Sequence, residues 1–240
     1  EEEPGANIIY INKEDINFKD IKTYLDLNAY VVSKSLEDRM NYIFVDEIQE
    51  IQDFRLAIRS LALDENNDIY ITGSNSEIFS SDLANELGGR YMEFCIHSLS
   101  YLEFLDFHEL ENDDEALENY IHYGGLPYLI HLPMEEAIVS EYIKSIYSTI
   151  ILKDVIQRKN IRNTSFLEQL ILFLASNIGN LFSSKSISDF LKSQKVDISS
   201  YVVGEYAMAL VDAFIIHQVR RFDIVGKRFF ERGEKYYFED

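Results

Sequence analysis

The sequence contains a single cysteine, Cys95, and no run of apolar residues long enough to span a membrane. One cysteine excludes an internal disulfide and is typical of a reducing compartment, and a membrane span needs about 18 or more apolar residues in succession. The start of the chain, EEEPG, has the features of neither a signal peptide nor a transit peptide. We therefore expect a cytoplasmic protein with no membrane partner. Because the chain does not begin with methionine, we also expect it to be part of a longer protein.

Basic side chains are scarce in the first half of the chain. Residues 1–120 contain 28 acidic and 8 basic side chains, whereas residues 121–240 contain 14 of each, so the first half carries the whole net charge of −20. Phosphate backbones are bound by Lys and Arg side chains that displace counterions, and a strongly negative surface repels a polyanion. The first half is therefore a poor candidate for nucleic-acid binding.

Short apolar segments alternate with helical patterns in this acidic half. The strand-like segments cover residues 8–12, 42–47, 68–73 and 90–96, and the helical patterns cover residues 53–63 and 76–88. This alternation predicts an α/β fold with a parallel sheet covered on both faces.

The second half is predicted to be mostly helical. Helical patterns cover residues 100–110, 111–124 and 134–159. From residue 164, three further helices precede a hairpin with its turn at Ile224–Gly226 and a trailing strand, KYYF. Three helices followed by a hairpin are typical of a winged helix.

The segment YIFVDEIQE, residues 42–50, ends a strand-like run in two adjacent carboxylates, Asp46 and Glu47. In open parallel sheets, ligands bind beyond the carboxyl ends of the strands. The Walker-B arrangement of P-loop nucleotide hydrolases delivers an Asp towards the nucleotide's magnesium in this way. Adjacent carboxylates repel each other unless they share a cation or a proton, so this interpretation implies Mg²⁺. The alternative is a strand that simply ends in solvent.

Two further motifs follow along the chain. In ITGSNS, Ser74 or Asn75 could contact the γ-phosphate or the attacking water, although the same residues suit a turn followed by a helix cap. In LGGRY, Arg90 follows a Gly-Gly helix terminator. It could reach a neighbouring subunit's phosphates, or it could complement the dipole at the helix end.

Taken together, VDEIQE, ITGSNS and LGGRY resemble a family of bacterial and archaeal AAA+ ATPases in which a winged helix follows the ATPase domain. The segments SLSYLEFL, YGGLPYLI and LKDVIQRKNIRN extend the resemblance over nearly the whole chain. The resemblance implies ATP binding and hydrolysis, with Asp46 on Mg²⁺ through water, Glu47 activating the attacking water, and Ser74 or Asn75 as sensor. It implies that Arg90 is an arginine finger, which makes a homo-oligomer the expected state.

The resemblance also implies an order of domains. We expect a partial P-loop parallel sheet with flanking helices at residues 1–107, an all-helical lid or linker at 108–163, and a winged helix at 164–240. The parent protein would couple ATP hydrolysis to a conformational change in its C-terminal region.

The chain departs from this family because it has no phosphate-binding loop of the form G-x-x-x-x-G-K-[ST]. Gly226 and Lys227 are adjacent, but Arg228 follows them and they fall in the predicted hairpin turn. In the family, the loop comes before a strand equivalent to residues 8–12, so here it would precede Glu1. We therefore expect this chain by itself to bind nucleotide poorly or not at all and to be inactive as an ATPase.

The winged helix leaves an alternative function open, a DNA-binding or protein-interaction module with a vestigial ATPase half. Its recognition-helix candidate, residues 199–213, has no Lys or Arg, and base readout usually depends on Arg, Lys, Asn or Gln. The wing offers the basic residues Arg220, Arg221, Lys227 and Arg228. We favour a packing or protein-interaction role over DNA binding. The five histidines show no metal-ligand spacing along the sequence, so no metal other than Mg²⁺ is expected.

Overall fold

A computed structural model of the chain describes residues 6–74, 87–157, 159–220 and 233–239. The chain forms two compact units, Glu1–Phe94 and Cys95–Asp240.

The first unit is built on a three-stranded parallel sheet. Its strands β1 (Asn7–Asn12), β2 (Asn41–Asp46) and β3 (Asn67–Ile71) lie in the order β1-β2-β3, so β2 is central. Helix α1 (Tyr24–Lys34) connects β1 to β2, and α2 (Phe54–Leu61) connects β2 to β3. The predicted α/β fold with a parallel sheet is confirmed.

A row of asparagines aligns the three strands at their amino ends, where Asn7 is paired with Asn41 and Asn41 with Asn67. The Asn41 side chain accepts from Asn7 Nδ2 at 2.8 Å and donates to Asn67 Oδ1 at 3.1 Å. It also exchanges two hydrogen bonds with the backbone of Leu36. The three strands pair in parallel and without a shift in register. A second row of polar residues therefore lies at their carboxyl ends, where it is formed by Asn12, Asp46 and Thr72.

The core of the first unit lies between the sheet and its two helices. The buried Ile and Val side chains of β1 and β2 pack against apolar residues of α1 and α2. On the opposite face of the sheet, Ile8, Tyr10 and Tyr70 are exposed, and Phe44 stacks on Tyr70 with ring centroids 4.9 Å apart. Among the described residues, helices therefore cover one face of the sheet and not both.

The fourth predicted strand, residues 90–96, is not a strand in the structure. Residues 90–97 have no regular secondary structure, and Met92, Phe94 and Ile96 are all strongly exposed. An extended segment becomes a strand only when a neighbouring backbone bonds to it, and within the described ranges the outer edge of β3 has no strand partner either. A cavity of about 550 Å³ separates this edge from residues 90–94. Residues 75–86, which hold most of the predicted helix 76–88, lie outside the described residues.

The second unit begins with helices, as predicted. They are α3 (Tyr101–His108), α4 (Asp114–Tyr123) and α5 (Glu136–Ile150), and α5 continues into a π-helical segment, Ile151–Gln157. Between α4 and α5, the GGLP segment leads into a 3₁₀ turn, Pro127–His131. Leu99 N donates to Gly125 O at 2.8 Å, and a Cβ on Gly125 would lie 2.2 Å from the Leu99 carbonyl oxygen. Only glycine, which has no Cβ, allows the backbone at this position to lie so close to Leu99.

In the described part of residues 164–240, the second unit contains three helices and an antiparallel strand pair. The helices are α6 (Thr164–Ser176), α7 (Ser184–Ser193) and α8 (Ser200–Asp212). Strand β4 (Ile216–Arg220) pairs with β5 (Glu234–Phe238), and a single bridge joins Phe182 to Glu234. KYYF, predicted as a trailing strand, is thus the direct partner of β4. The predicted turn at Ile224–Gly226 and the strand after it lie outside the described residues.

None of the helices described is both long and apolar enough to cross a lipid bilayer.

Candidate functional site

Asp46 ends the central strand β2, and the next strand orients its side chain. The Thr72 hydroxyl donates to Asp46 Oδ1, while Thr72 N donates to Val45 O at 3.0 Å. On the other side, Lys13 N donates to Asp46 O at 3.3 Å. The Asp46 carboxylate therefore lies half-buried at the carboxyl edge of the sheet, and the backbone of Val45 and Asp46 is hydrogen-bonded to the residues that directly follow β3 and β1.

Glu47 leaves the strand in a left-handed backbone conformation, with φ 53° and ψ 48°. Such a conformation costs on the order of 1–3 kcal/mol for a residue other than glycine, and it is common at functional sites. Glu47 N donates to Thr72 Oγ1 at 3.4 Å, and Ile48 N donates to Thr72 O at 3.1 Å. The turn directs the chain into a short 3₁₀ helix, Ile48–Glu50.

Gln49 lies beside the Glu47 carboxylate. Its side-chain Nε2 donates to Glu47 Oε2. Its Oε1 atom is buried, and no described residue provides it with a hydrogen-bond partner. A buried acceptor without a donor is unfavourable, so this oxygen is suited to accept a hydrogen bond from a water or ligand next to Glu47.

Lys13 fixes the loop that follows β1, on the far side of Asp46 from Thr72. Its Nζ donates to Phe18 O at 2.7 Å and to Ile21 O at 2.6 Å. Burial lowers the pKa of this ammonium group, while the nearby Glu50 carboxylate partly opposes that effect. The Lys13 side chain is thus hydrogen-bonded to the loop backbone and stabilises the loop on one side of the site.

The other predicted site residues lie around β3. Ser74 is exposed beyond the end of this strand, and Asn75 lies outside the described residues. Arg90 is exposed, and its backbone N donates to Leu87 O at 3.1 Å. Arg90 and Thr72 line the same cavity beside β3. The structure therefore brings Asp46, Glu47 and Thr72 together, with Arg90 on the adjoining cavity.

Sequence reasoning missed Thr72 and Gln49. Within the segment ITGSNS it selected Ser74 and Asn75, which lie farther along the chain than Thr72, the residue level with Asp46. The repeated asparagine at the start of each strand would have revealed the alignment, because Asn12, Asp46 and Thr72 each follow their asparagine at the same spacing. Nothing in the sequence singled out Gln49.

The arrangement is suited to a hydrated magnesium ion. Mg²⁺ prefers oxygen ligands and usually keeps several waters while one or two carboxylates bind it. Asp46 offers carboxylate oxygens at the end of a parallel strand, where ligands of α/β sheets bind. The described residues include no glycine-rich phosphate-binding loop. They could therefore bind the magnesium ion and the attacking water of a nucleotide site, but they do not provide the part that binds the phosphates.

The candidate DNA-binding face carries little positive charge. The exposed residues of α8 are Ser200, Tyr201, Glu205 and Met208. Asp212, at the end of this helix, forms an ion pair with Lys159 at 2.7 Å. Arg220 is exposed at the end of β4, whereas Arg221, Lys227 and Arg228 lie outside the described residues.

Comparison with known proteins assigns a family to each half of the chain. Residues 1–105 match the family described as "AAA domain", and residues 114–240 match "Domain of unknown function (DUF8612)". The AAA match indicates a nucleotide-binding domain of the P-loop ATPase kind.

Two relatives extend over almost the whole chain. An uncharacterised protein of Haemophilus influenzae is 33% identical over 244 residues, which cover 98% of this chain and 60% of that protein. An uncharacterised protein of Methanocaldococcus jannaschii is 31% identical over 234 residues, which cover 92% of this chain and 52% of that protein. The chain thus spans little more than half the length of these relatives. With more than half of its residues matched, the chain belongs to the family described as "Domain of unknown function (DUF8612)", and its residues 1–105 are similar to an AAA domain.

Proposed function

We propose that the longer protein hydrolyses ATP at the carboxyl edge of the β1–β3 sheet. One observation carries the proposal: Asp46 and Glu47 follow the central parallel strand, and the hydroxyl of the neighbouring Thr72 holds the Asp46 carboxylate. The match of residues 1–105 to an AAA domain supports the same reaction.

In this proposal Asp46 binds a water of the magnesium ion. The hydrogen bond from Thr72 occupies Oδ1, which leaves Oδ2 to face the hydrated ion. Bound Mg²⁺ would neutralise charge on the phosphates. Thr72 acts by fixing the rotamer of Asp46, so that the carboxylate does not have to reorganise when the ion binds.

Glu47 would take a proton from the attacking water. Its left-handed backbone turns the residue away from the strand direction that Asp46 follows, so the two carboxylates can serve different partners. Gln49 holds one Glu47 oxygen through Nε2, and its unpartnered Oε1 could accept a hydrogen bond from the same water. A positioned general base typically contributes about 10²–10⁴-fold to a rate.

We further propose that Arg90 acts as an arginine finger across a subunit boundary in a homo-oligomer, with Ser74 or Asn75 as the sensor. The exposure of Arg90 supports this role, because an exposed side chain is accessible to a second subunit. An arginine supplied by another subunit can stabilise the charge of a phosphoryl-transfer transition state.

The phosphate-binding loop would belong to the rest of the longer protein. Parallel sheets are normally covered on both faces, yet the described part leaves one face uncovered and the outer edge of β3 unpaired. The cavity between this edge and residues 90–94 is lined by Tyr70, Met92 and Phe94. We propose that a further strand, with the loop at its carboxyl end, pairs with β3 there and orders residues 90–96.

Steady-state ATP hydrolysis by the longer protein tests this function. Glu47→Gln should lower turnover by about 10²–10⁴-fold while ATP still binds, because the substitution removes the base and keeps the side-chain shape. Glu65→Gln, an exposed glutamate in the loop before β3, is the matched control and should hydrolyse ATP at the wild-type rate. Equal rates for wild type and Glu47→Gln would overturn the proposal.

We propose that residues 164–240 form a winged helix whose conformation responds to the nucleotide. Helices α6 to α8, the bridge at Phe182 and the β4–β5 pair support this topology. The uncharged or acidic exposed face of α8 favours packing or protein interaction over DNA binding.

The alternative is a winged-helix DNA-binding or protein-interaction module with a vestigial ATPase half, and its DNA-binding form makes a separate prediction. It requires duplex affinity that falls steeply with salt and that drops when Arg220 and Arg221 are replaced by alanine. We expect instead only weak binding that does not depend on these two arginines.

A further inference from the structure

Two histidines and a glutamate that are distant in sequence meet in the second unit. His97 precedes α3, His217 is the second residue of β4, and Glu239 follows β5. Glu239 N donates to Ile215 O at 3.1 Å, which fixes the glutamate beside the start of β4. Glu239 is 142 residues from His97 and 22 residues from His217. The cluster therefore cannot be recognised from a local spacing pattern in the sequence.

The three side chains direct their ligand atoms at one another. His97 Nδ1 lies 3.1 and 3.2 Å from the two carboxylate oxygens of Glu239, and His217 Nε2 contacts Oε2. The centroids of the two imidazole rings are 5.4 Å apart, and each ring directs one nitrogen at the Glu239 carboxylate. All three ligand atoms lie within 4.8 Å of one another.

The surroundings hold this cluster in place and leave it open on one side. Ser98 N donates to Glu239 Oε1 at 3.0 Å, so the backbone next to His97 also orients the carboxylate. A cavity of about 370 Å³ opens onto the three side chains and is also lined by Ser100 and Tyr120. An ion could enter from solvent, because the His97 side chain is 56% exposed and the Glu239 side chain 21%.

We propose that His97, His217 and Glu239 form a binding site for a divalent transition-metal ion of the zinc class. Two imidazoles and one carboxylate are a ligand set that Zn²⁺ accepts, and sites with three protein ligands keep a fourth position for water or another ligand. The adjoining cavity provides that position. Imidazole ligands suit zinc and its neighbours better than they suit magnesium, so the ion differs from the one expected at Asp46.

Such an ion would connect the segment at residues 97–98 to β4 and to the end of β5. It would form a cross-link within the second unit between residues that are far apart in sequence. Metal that binds only the folded state stabilises that state in proportion to its occupancy. The inference does not depend on ATP hydrolysis in the first unit.

Calorimetric titration of the metal-stripped chain with Zn²⁺, in excess Mg²⁺, tests this site. We expect one equivalent of Zn²⁺ per chain. His217→Gln keeps a hydrogen-bond donor for Glu239 but replaces a metal ligand, and Glu239→Gln keeps the acceptor for Ser98 N–H. Each should weaken Zn²⁺ binding by at least about tenfold, since even the outer partners of metal ligands contribute 10–100-fold. His122→Gln, an exposed histidine on α4, is the matched control and should bind as wild type.

Thermal unfolding provides a second readout. Zn²⁺ should raise the unfolding temperature of wild type and of His122→Gln, but not that of His217→Gln or Glu239→Gln. If a variant in the strand pair fails to fold, the exposed His97→Gln is expected to show the same loss of affinity. Wild-type affinity in the three ligand variants, or no saturable Zn²⁺ binding by wild type, would overturn the proposal and leave Glu239 as a hydrogen-bonded link between two histidines.

Discussion

Replacing Asn41 by alanine should lower the stability of the three-stranded sheet that carries Asp46. The Asn41 side chain is 1% exposed and takes part in four hydrogen bonds, two with Leu36 and one each with Asn7 and Asn67. A typical intramolecular hydrogen bond contributes about 0.5–1.5 kcal/mol, and a buried group left without its partner costs more. Because Asn7 and Asn67 are only partly buried and can bind water after the change, we expect a loss of about 2–4 kcal/mol.

Hydrogen exchange measured by mass spectrometry is the appropriate assay, because it separates the two units of the chain. A loss of 2–4 kcal/mol corresponds to exchange about 30- to 700-fold faster in peptides covering β1 and β2, at about 1.4 kcal/mol per factor of ten. Peptides from α6, in the other unit, should exchange at the wild-type rate. Asn66→Ala, at an exposed asparagine in the adjacent turn, is the matched control and should change stability by less than about 0.5 kcal/mol.

Asn41→Asp adds a pH dependence to the same test. Aspartate loses the donor to Leu36 O and Asn67 Oδ1, and at neutral pH it buries a charge. Burial would raise the folded-state pKa of this carboxyl above its unfolded value, so the variant should be least destabilised below about pH 4 and lose stability as the pH rises towards 7. The reasoning is refuted if Asn41→Ala exchanges like wild type, or if the α6 peptides change as much as the sheet.

Three further changes test other parts of the structure. Thr72→Val removes the hydroxyl that orients Asp46 and should lower ATP turnover of the longer protein by about 10–100-fold, since hydrogen bonds to charged groups contribute about 1.5–3 kcal/mol. Thr72→Ser should keep turnover near wild type, and equal loss in both variants would contradict the role of the hydroxyl. Gly125→Ala should destabilise the second unit by about 1–3 kcal/mol in urea unfolding, because its Cβ would collide with a backbone carbonyl. Gly204 lies on α8, where an added Cβ would have no atom nearer than 3.9 Å. Gly204→Ala should therefore stabilise the second unit by about 0.5–1 kcal/mol, and a loss of stability in both alanine variants would contradict the steric argument. Burial, helped by the Glu234 carboxylate, raises the pKa of Tyr236 to about 12 from 10.0, so the neutral phenol is favoured in the folded state and stability is lost as the pH rises from 10.0 towards 12. Tyr236→Phe should remove that part of the alkaline loss in pH-dependent thermal unfolding, and an unchanged alkaline profile would show that another group causes it.

Most of the local elements could be predicted from the sequence, because periodicity and turn residues reflect local physics. The strands that end near Asp46 and Ile71 appear where short apolar segments predicted them. Residues 90–96 have the same composition and yet form no strand, because pairing depends on a neighbour that composition does not reveal.

The candidate site could be predicted only in part. Asp46 and Glu47 were identified because a charged pair after an apolar run is visible along the chain. Thr72 depends on strand register, and the cluster of His97, His217 and Glu239 depends on the packing of segments that are far apart in sequence. The register was visible in the sequence only as the asparagine repeated at the start of each strand. The packing that forms the histidine–glutamate cluster follows from three-dimensional contacts, which no local pattern of the sequence encodes.

The most direct test of the central claim is to locate the metal ion in the longer protein. Crystals grown with a non-hydrolysable ATP analogue and Mn²⁺ would show the ion by its anomalous scattering. We predict the ion about 4–5 Å from an Asp46 carboxylate oxygen, the distance that one bridging water allows, with the γ-phosphate close to Glu47. An ion and triphosphate bound beyond the reach of such a water, with Asp46 and Glu47 facing bulk solvent, would contradict the account.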